Sequence, residues 1–379
     1  TAELDQASFN ALRLIAPAVL KAPLERVNRH WQQLQQDQEA AYQVYPAAPD
    51  LFIMALQKAV SSLTDHLTDQ PTGNDAELLH FYLNAMLFCR LAEAFGAHSL
   101  FDIKRNEEHG GRSLSTLCIR NIVPAPFLAP RFDAAHSSTL FSATLSPAHY
   151  YADLLGLPPN TPWIDVESPF SATQLQVQAV SNLSTRYVHR DYSLAPIAAL
   201  MARQFAARPG NYLAFFSSYA YLRLALETFS EAHPQVPVWE QSRQMDESQR
   251  QQFLERFSSG GQGIGFAVLG GAFGEGIDLP GDRLIGAFIA TLGLPQINPV
   301  NEEIKQRMQV MFGSGYDYTY LYPGLQKVVQ AAGRVIRTQQ DQGVVYLIDD
   351  RFNQPAIRRL LPTWWQVDRC RLPLLSAPL

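Results

Sequence analysis

Over the first hundred positions the apolar residues recur at helical spacing. Between Asp50 and Gln70 they fall at Ile53, Leu56, Val60, Leu63 and Leu67, which sets them on one face of a helix. Pro71-Thr72-Gly73-Asn74 interrupts that pattern. A second segment, 75–95, carries Leu78, Tyr82, Met86, Cys89 and Leu91, with Gly96 suited to a left-handed cap. Residues 1–97 therefore read as helical, with two antiparallel helices joined by a short turn. From residue 98 the texture changes to short runs that suit strands, at 99–104, 114–122 and 139–141.

Beyond residue 150, strand candidates at 212–216, 264–269, 284–290 and 344–348 alternate with helical patterns at 219–232, 247–258, 301–311 and 325–337. Several of these strands are apolar throughout, as strands buried on both faces must be. Asp246 followed by Gln249 predicts a capping box. The alternation predicts an α/β unit with a mainly parallel sheet, whose chemistry is to be sought in the loops beyond the carboxyl ends of the strands. No repeat of 20 to 50 residues and no low-complexity tract interrupts the chain.

Length and charge narrow the classes. The 379 residues predict two or three domains. A net charge of −5 excludes a polycationic coat, so any nucleic-acid contact has to come from a local groove. Cys89, Cys118 and Cys370 lie far apart with no C-x-x-C spacing, so neither a disulfide framework nor a metal site is read here, and a reduced, cytoplasmic setting is expected. No run of 18 apolar residues and no leader pattern occurs, so no membrane partner is expected. A chain that begins with Thr1 fits a piece cut from a longer protein, although processing gives the same start.

Four clusters carry candidate chemistry. Gln330-Ala331-Ala332-Gly333-Arg334-Val335-Ile336-Arg337 precedes the strand at 344–348. On a helix, Gln330, Arg334 and Arg337 stand at i, i+4 and i+7, so an amide and two guanidiniums project from one face, kept low by Gly333. Two permanently charged forks aimed at one place suit a triphosphate; an ordinary solvated basic face is the alternative. Gly270-Gly271-Ala272-Phe273-Gly274-Glu275-Gly276-Ile277-Asp278 follows the strand at 264–269. Its glycines permit positive φ and expose N–H groups to a phosphate, with Asp278 placed to accept from a sugar hydroxyl; a ligand-free turn is the alternative. Ser142-Ala143-Thr144 is too short to carry weight alone. Phe215-Phe216-Ser217-Ser218-Tyr219 runs from a strand into a loop that could grip a backbone phosphate or simply cap a helix.

In this order, the four pieces resemble motifs III, IV, V and VI of superfamily 2 helicases of the XPD/DinG branch: Ser142 to Thr144, Phe215 to Tyr219, Gly274 to Asp278, and Gln330 to Arg337. Glu167-Ser168-Pro169-Phe170, Pro280-Gly281-Asp282, Asp349-Asp350-Arg351-Phe352 and Leu361-Pro362 extend the likeness, which covers residues 98–365. The resemblance implies two RecA-like lobes with ATP between them and single-stranded or forked DNA across them. It assigns residues 1–97 to a helical arch-like region, 98–150 to the end of the first motor lobe, and 151–379 to the second lobe. It implies that Arg334 and Arg337 reach the γ-phosphate and that Gln330 couples the lobes. Gly274, Glu275, Gly276, Asp278 and Gly333 would line the nucleotide, Ser142 and Thr144 would relay between lobes, and Ser217, Ser218 and Tyr219 would face DNA.

The departures matter equally. Ser217 stands where the branch has proline, and neither G-K-[ST] nor Asp-Glu-Ala-His occurs. The phosphate cradle and the Mg2+ ligands would lie outside these residues, as would the cysteines of an iron–sulfur cluster that many relatives carry. The expectation is the carboxy-terminal part of an ATP-dependent 5′-to-3′ DNA helicase, inactive alone. A non-catalytic module that binds single-stranded nucleic acid or a protein is the alternative; a nucleotide-binding enzyme such as a kinase is disfavoured by the missing Walker lysine. Trp364 and Trp365, among Arg351, Arg358, Arg359, Arg369 and Arg371, are expected to pack a terminal helix onto the core rather than to stack on bases.

Overall fold

Strands that are apolar on both sides need helices on both faces, and strands that alternate need only one; the chain uses each solution once. The computed structural model describes residues 1–69, 76–107, 113–274 and 277–373. They form two units, Thr1–Thr139 with Tyr151–Thr161, and Leu140–Tyr150 with Pro162–Leu379.

The first unit contains β1 (Ala2–Asp5), α1 (Gln6–Ile15), α2 (Ala18–Gln36), β2 (Tyr42–Tyr45), α3 (Asp50–Asp69), α4 (Ala76–Glu93), β3 (Ser99–Glu107), β4 (Ser113–Asn121) and α5 (Ala125–Ala134). Its antiparallel sheet has the order β1-β4-β3-β2, and its core gathers Phe9, Trp31, Phe52, Phe88 and Phe101. Residues 1–97 are thus not wholly helical: β1 and β2 escape the sequence reading because four-residue strands are too short to establish a period. On α4 the buried face is Leu78, Phe81, Ala85, Phe88 and Cys89, turned from the expected one, because apolar residues surround that helix and periodicity could not choose among faces. Gly96 has no positive φ, so the expected left-handed cap is not made. The turn expected at 71–74 lies outside the described residues.

A further helix, α6 (Ala148–Leu155), spans the point where the chain passes between units. The run at 139–141 forms no strand; Phe141 is 90% exposed and its backbone is unpaired by any described strand.

The second unit contains β5 (Leu175–Val180), α7 (Arg190–Ala207), β6 (Asn211–Phe216), α8 (Tyr219–Ala232), β7 (Val238–Glu240), α9 (Glu247–Glu255), β8 (Gly263–Val268), β9 (Gly286–Ala290), α10 (Pro299–Phe312), α11 (Tyr322–Ala332), β10 (Gly343–Ile348), α12 (Pro355–Arg358) and β11 (Val367–Cys370). Its seven strands are all parallel, in the order β11-β5-β10-β9-β6-β8-β7. Successive residues of β6 point to opposite faces, Leu213 and Phe215 into one core, Tyr212, Ala214 and Phe216 into the other. Helices α7 and α8 cover the second face. Helices α9 and α11 cover the first, with Trp365 buried beside them and Trp364 packed against the same core as expected, although the tryptophans stand on a turn and not on a terminal helix. The capping box at Asp246 and Gln249 is present. The strands β5, β7 and β11 went unread because β5 and β11 carry polar residues near the sheet margin and β7 has only three residues.

Beyond the end of β9 the chain turns sharply at Gly293, whose φ is +74° and where a Cβ would collide with the carbonyl oxygen of Gly324 in α11. Only glycine suits both conditions. Gly293→Ala is expected to lower the stability of this unit by at least about 2 kcal/mol, read as a fall in urea midpoint without a change in slope.

Candidate functional site

Because every strand of the second unit runs the same way, their carboxyl ends share one edge and their amino ends the other. Helix α11 spans the two. Its start packs at the carboxyl end of β9, where Gly324 meets Leu292 and Gly293, and beyond its end Val335 packs on Gly343 at the amino end of β10.

The expected helix over 325–337 stops at Ala332, so Gln330, Arg334 and Arg337 do not share one helical face. Two features end it. Gly333 caps the helix, and the Asp341 carboxylate accepts from the N–H groups of Arg337 (2.7 Å) and Thr338 (2.8 Å) and from the Thr338 hydroxyl, drawing the chain into a turn. Burial works against ionisation of Asp341, yet these hydrogen bonds hold its carboxyl below the usual range. The guanidiniums converge nonetheless. Arg334 Nη1 and Arg337 Nη2 both donate to the carbonyl of Ile277, at 2.8 and 2.9 Å, and Arg334 Nη2 reaches the Gly274 carbonyl at 3.4 Å. Arg337 Nε lies 3.2 Å from Asp278.

The loop after β8 therefore offers carbonyls to the arginines, rather than only N–H groups to a phosphate, and Asp278 is engaged with Arg337. Phe273, Ile277, Leu279 and Leu284 anchor this crossover in the core as it runs from the carboxyl end of β8 to the amino end of β9. The arginine pair thus belongs to the turn that enters β10, away from the carboxyl ends where the sequence reading placed the chemistry. Gln330 stays on α11, half-buried, and Gly333 is exposed at its cap. Glu275 and Gly276 lie outside the described residues.

A second cluster occupies the carboxyl edge. Ser218 caps α8 by accepting from Tyr221 N, and the Tyr219 hydroxyl accepts from Gln241 Nε2 at 2.9 Å. Ser217 Oγ accepts from Arg190 Nη2 at 2.9 Å. The Arg190 guanidinium lies between the rings of Tyr187 (5.2 Å) and Tyr221 (5.0 Å), and that of Arg243 lies 5.6 Å over Tyr219. Tyr187 and Tyr192 are each 81% exposed. The sequence reading missed Tyr187, Arg190 and Tyr192; two tyrosines flanking an arginine near the start of α7 were the available signal.

The segment leading to Arg190 is clamped to the end of β10. Asp349, fully buried, accepts from Thr185 N and Oγ1 and from Arg351 Nε, while Asp350 pairs with Arg186 at 2.8 Å. The Leu140–Tyr150 stretch joins this unit through Tyr150, whose ring lies 5.1 Å from Tyr318 and 5.2 Å from Tyr322, and through His149 against the Tyr322 hydroxyl. Ser142 and Thr144 are bonded to one another in its exposed part, with Ser142 Oγ accepting from Thr144 N at 3.2 Å.

The second unit is a RecA-like parallel sheet flanked by helices, and residues 201–368 match the helicase C-terminal domain family. Along its sequence the chain is similar to XPD and DinG helicases. It is 24% identical over 255 residues to the general transcription and DNA repair factor IIH helicase subunit XPD of Dictyostelium discoideum, covering 62% of this chain and 33% of that protein. It is 26% identical over 272 residues to the ATP-dependent helicase DinG of Mycobacterium tuberculosis, covering 68% and 40% respectively. An apo XPD structure shares the fold over 98% of this chain and 73% of its own, with a TM-score of 0.61 at 16% identity. The chain spans about 20% to 40% of the length of the curated relatives it matches here.

Proposed function

We propose that the full-length protein is an ATP-dependent DNA helicase, to which this chain contributes the second motor lobe and an arch-like region. The observation that carries the proposal is the convergence of Arg334 and Arg337 on the Ile277 carbonyl. Arg337 Nη1 has no hydrogen-bond partner among the described residues, so a permanently charged donor is held in place for an anion. Such a donor, fixed before the reaction, stabilises charge that develops on a transferring phosphoryl group.

ATP in the full-length protein would be cradled mainly by residues outside this chain. No cluster of three His, Cys, Asp or Glu able to hold a metal occurs among the described residues. Likewise no described helix is long and apolar enough to cross a membrane. The chain by itself would neither bind ATP tightly nor hydrolyse it.

The carboxyl edge is the proposed track for single-stranded nucleic acid. Exposed Tyr187 and Tyr192 offer faces on which bases stack, and Arg190 and Arg243 supply charge that no described carboxylate neutralises. Tyr187→Ala is expected to weaken single-stranded DNA binding by roughly 1–3 kcal/mol, about fivefold to a hundredfold, in an anisotropy titration at fixed salt. Unchanged affinity would remove Tyr187 from the track. Binding of single strands without any ATP hydrolysis by the full-length protein would favour the non-catalytic module instead.

A further inference from the structure

One cation of the second unit is absorbed by none of the motifs. Lys327 lies on the second turn of α11, half-buried, and its side chain passes over Gly270, the residue at which the chain leaves β8. Gly270 has φ +79°, and a Cβ there would stand 3.0 Å from Lys327 Cδ and 3.4 Å from Nζ. The glycine therefore serves two ends: it permits the left-handed turn, and it leaves room for the lysine stem to lie against the backbone. Among the described residues Lys327 forms no ion pair and no hydrogen bond. A stem packed in place, with an ammonium at its tip that no described carboxylate pairs, is an arrangement that suits contact with an anion.

The place of Lys327 in the fold identifies the anion. Gly270 follows β8 and Ser217 follows β6, and these strands are hydrogen-bonded neighbours, so both lie on the carboxyl edge. Gln241, which follows β7, holds Tyr219 through its amide nitrogen and Val268 N through its oxygen, tying the loops of three adjacent strands into one surface. From Lys327 the helix runs on to Ala332, about 7.5 Å at 1.5 Å per residue, toward the opposite edge, and Arg334 lies just past its end. We infer that Lys327 is a contact for the phosphodiester backbone of the strand on the carboxyl edge, and not for the nucleotide's phosphates. This inference rests on the reading of that edge as the nucleic-acid track. It gives α11 a phosphate contact near one end and the nucleotide-facing arginines just past the other, so a shift of the helix moves both together.

The test uses the full-length protein and an oligothymidine strand, with affinity measured over a range of salt concentrations. Lys327→Ala is expected to weaken binding and to reduce the slope of log K against log salt by about 0.7, the loss of one phosphate contact on a single strand. Lys327→Arg is expected to restore the slope, and the KM for ATP is expected to hold steady in both variants. Arg190→Ala, measured in parallel, separates the two claims. If Arg190→Ala weakens binding while Lys327→Ala changes neither affinity nor slope, the inference about Lys327 fails and the track stands. If neither substitution matters, the track itself fails. A raised KM for ATP with unaltered strand binding in Lys327→Ala would overturn the inference by assigning the lysine to the nucleotide.

Discussion

Replacing Arg337 with alanine in the full-length protein is expected to reduce nucleic-acid-stimulated ATP hydrolysis by ~10³–10⁵, the range over which a transition-state arginine acts. The geometry argues for an effect on turnover rather than on substrate capture. Asp278 and the Ile277 carbonyl hold the guanidinium before any ligand arrives, so it need not be ordered during the reaction. An interaction realised chiefly in the transition state lowers kcat and kcat/KM together and leaves KM nearly unchanged. Arg337→Lys is expected to rescue little, because an ammonium cannot donate to Ile277 and to a phosphoryl oxygen with the spacing of a planar fork. Steady-state turnover with saturating single-stranded DNA reads the outcome, and an unaltered kcat in Arg337→Ala would sink the assignment.

The second large effect is on stability. Asp349→Ala is expected to destabilise the second unit by about 3–5 kcal/mol, the cost of leaving one member of a buried ion pair without the other. Asp349 is fully buried and its carboxylate gathers donors from Thr185 and Arg351. Burial alone would raise its pKa, but the hydrogen bonds and charge of Arg351, with the bonds from Thr185, outweigh burial and hold it down to about 2. A carboxyl depressed on folding adds stability above its unfolded pKa of about 4 and loses it as pH falls toward the folded value. The urea midpoint of the wild-type chain should therefore fall between pH 4 and pH 2, and that part of the fall should be missing from Asp349→Ala. The clamp also orients the segment that carries Arg186, Tyr187 and Arg190, so the same substitution is expected to weaken strand binding at neutral pH.

Much of this was legible in the linear pattern. Apolar runs such as 212–216 and 344–348 demand burial on both faces, and with helical stretches between them they determine a parallel sheet. Ser218 and Asp246 are caps wherever such residues precede a helical run, because they satisfy amide groups a few positions away. Those inferences hold because they depend on neighbours in sequence. The four-residue strands β1 and β2 and the buried face of α4 depended instead on partners distant along the chain.

The site divides along the same line. Sequence alone singled out Gln330, Arg334, Arg337 and the glycine-rich loop after β8 as candidates, through the order and spacing of the motifs they resemble. Tertiary structure decided how they meet: Asp341 and Gly333 break the helix, and the arginines converge by donating to backbone carbonyls 57 to 60 residues away. It also decided that Arg190 and Lys327 join the carboxyl edge, one between two tyrosine rings and the other over the glycine that follows β8. Neither placement follows from local propensity, since a cation has no partner until a fold brings one within a few ångströms of it.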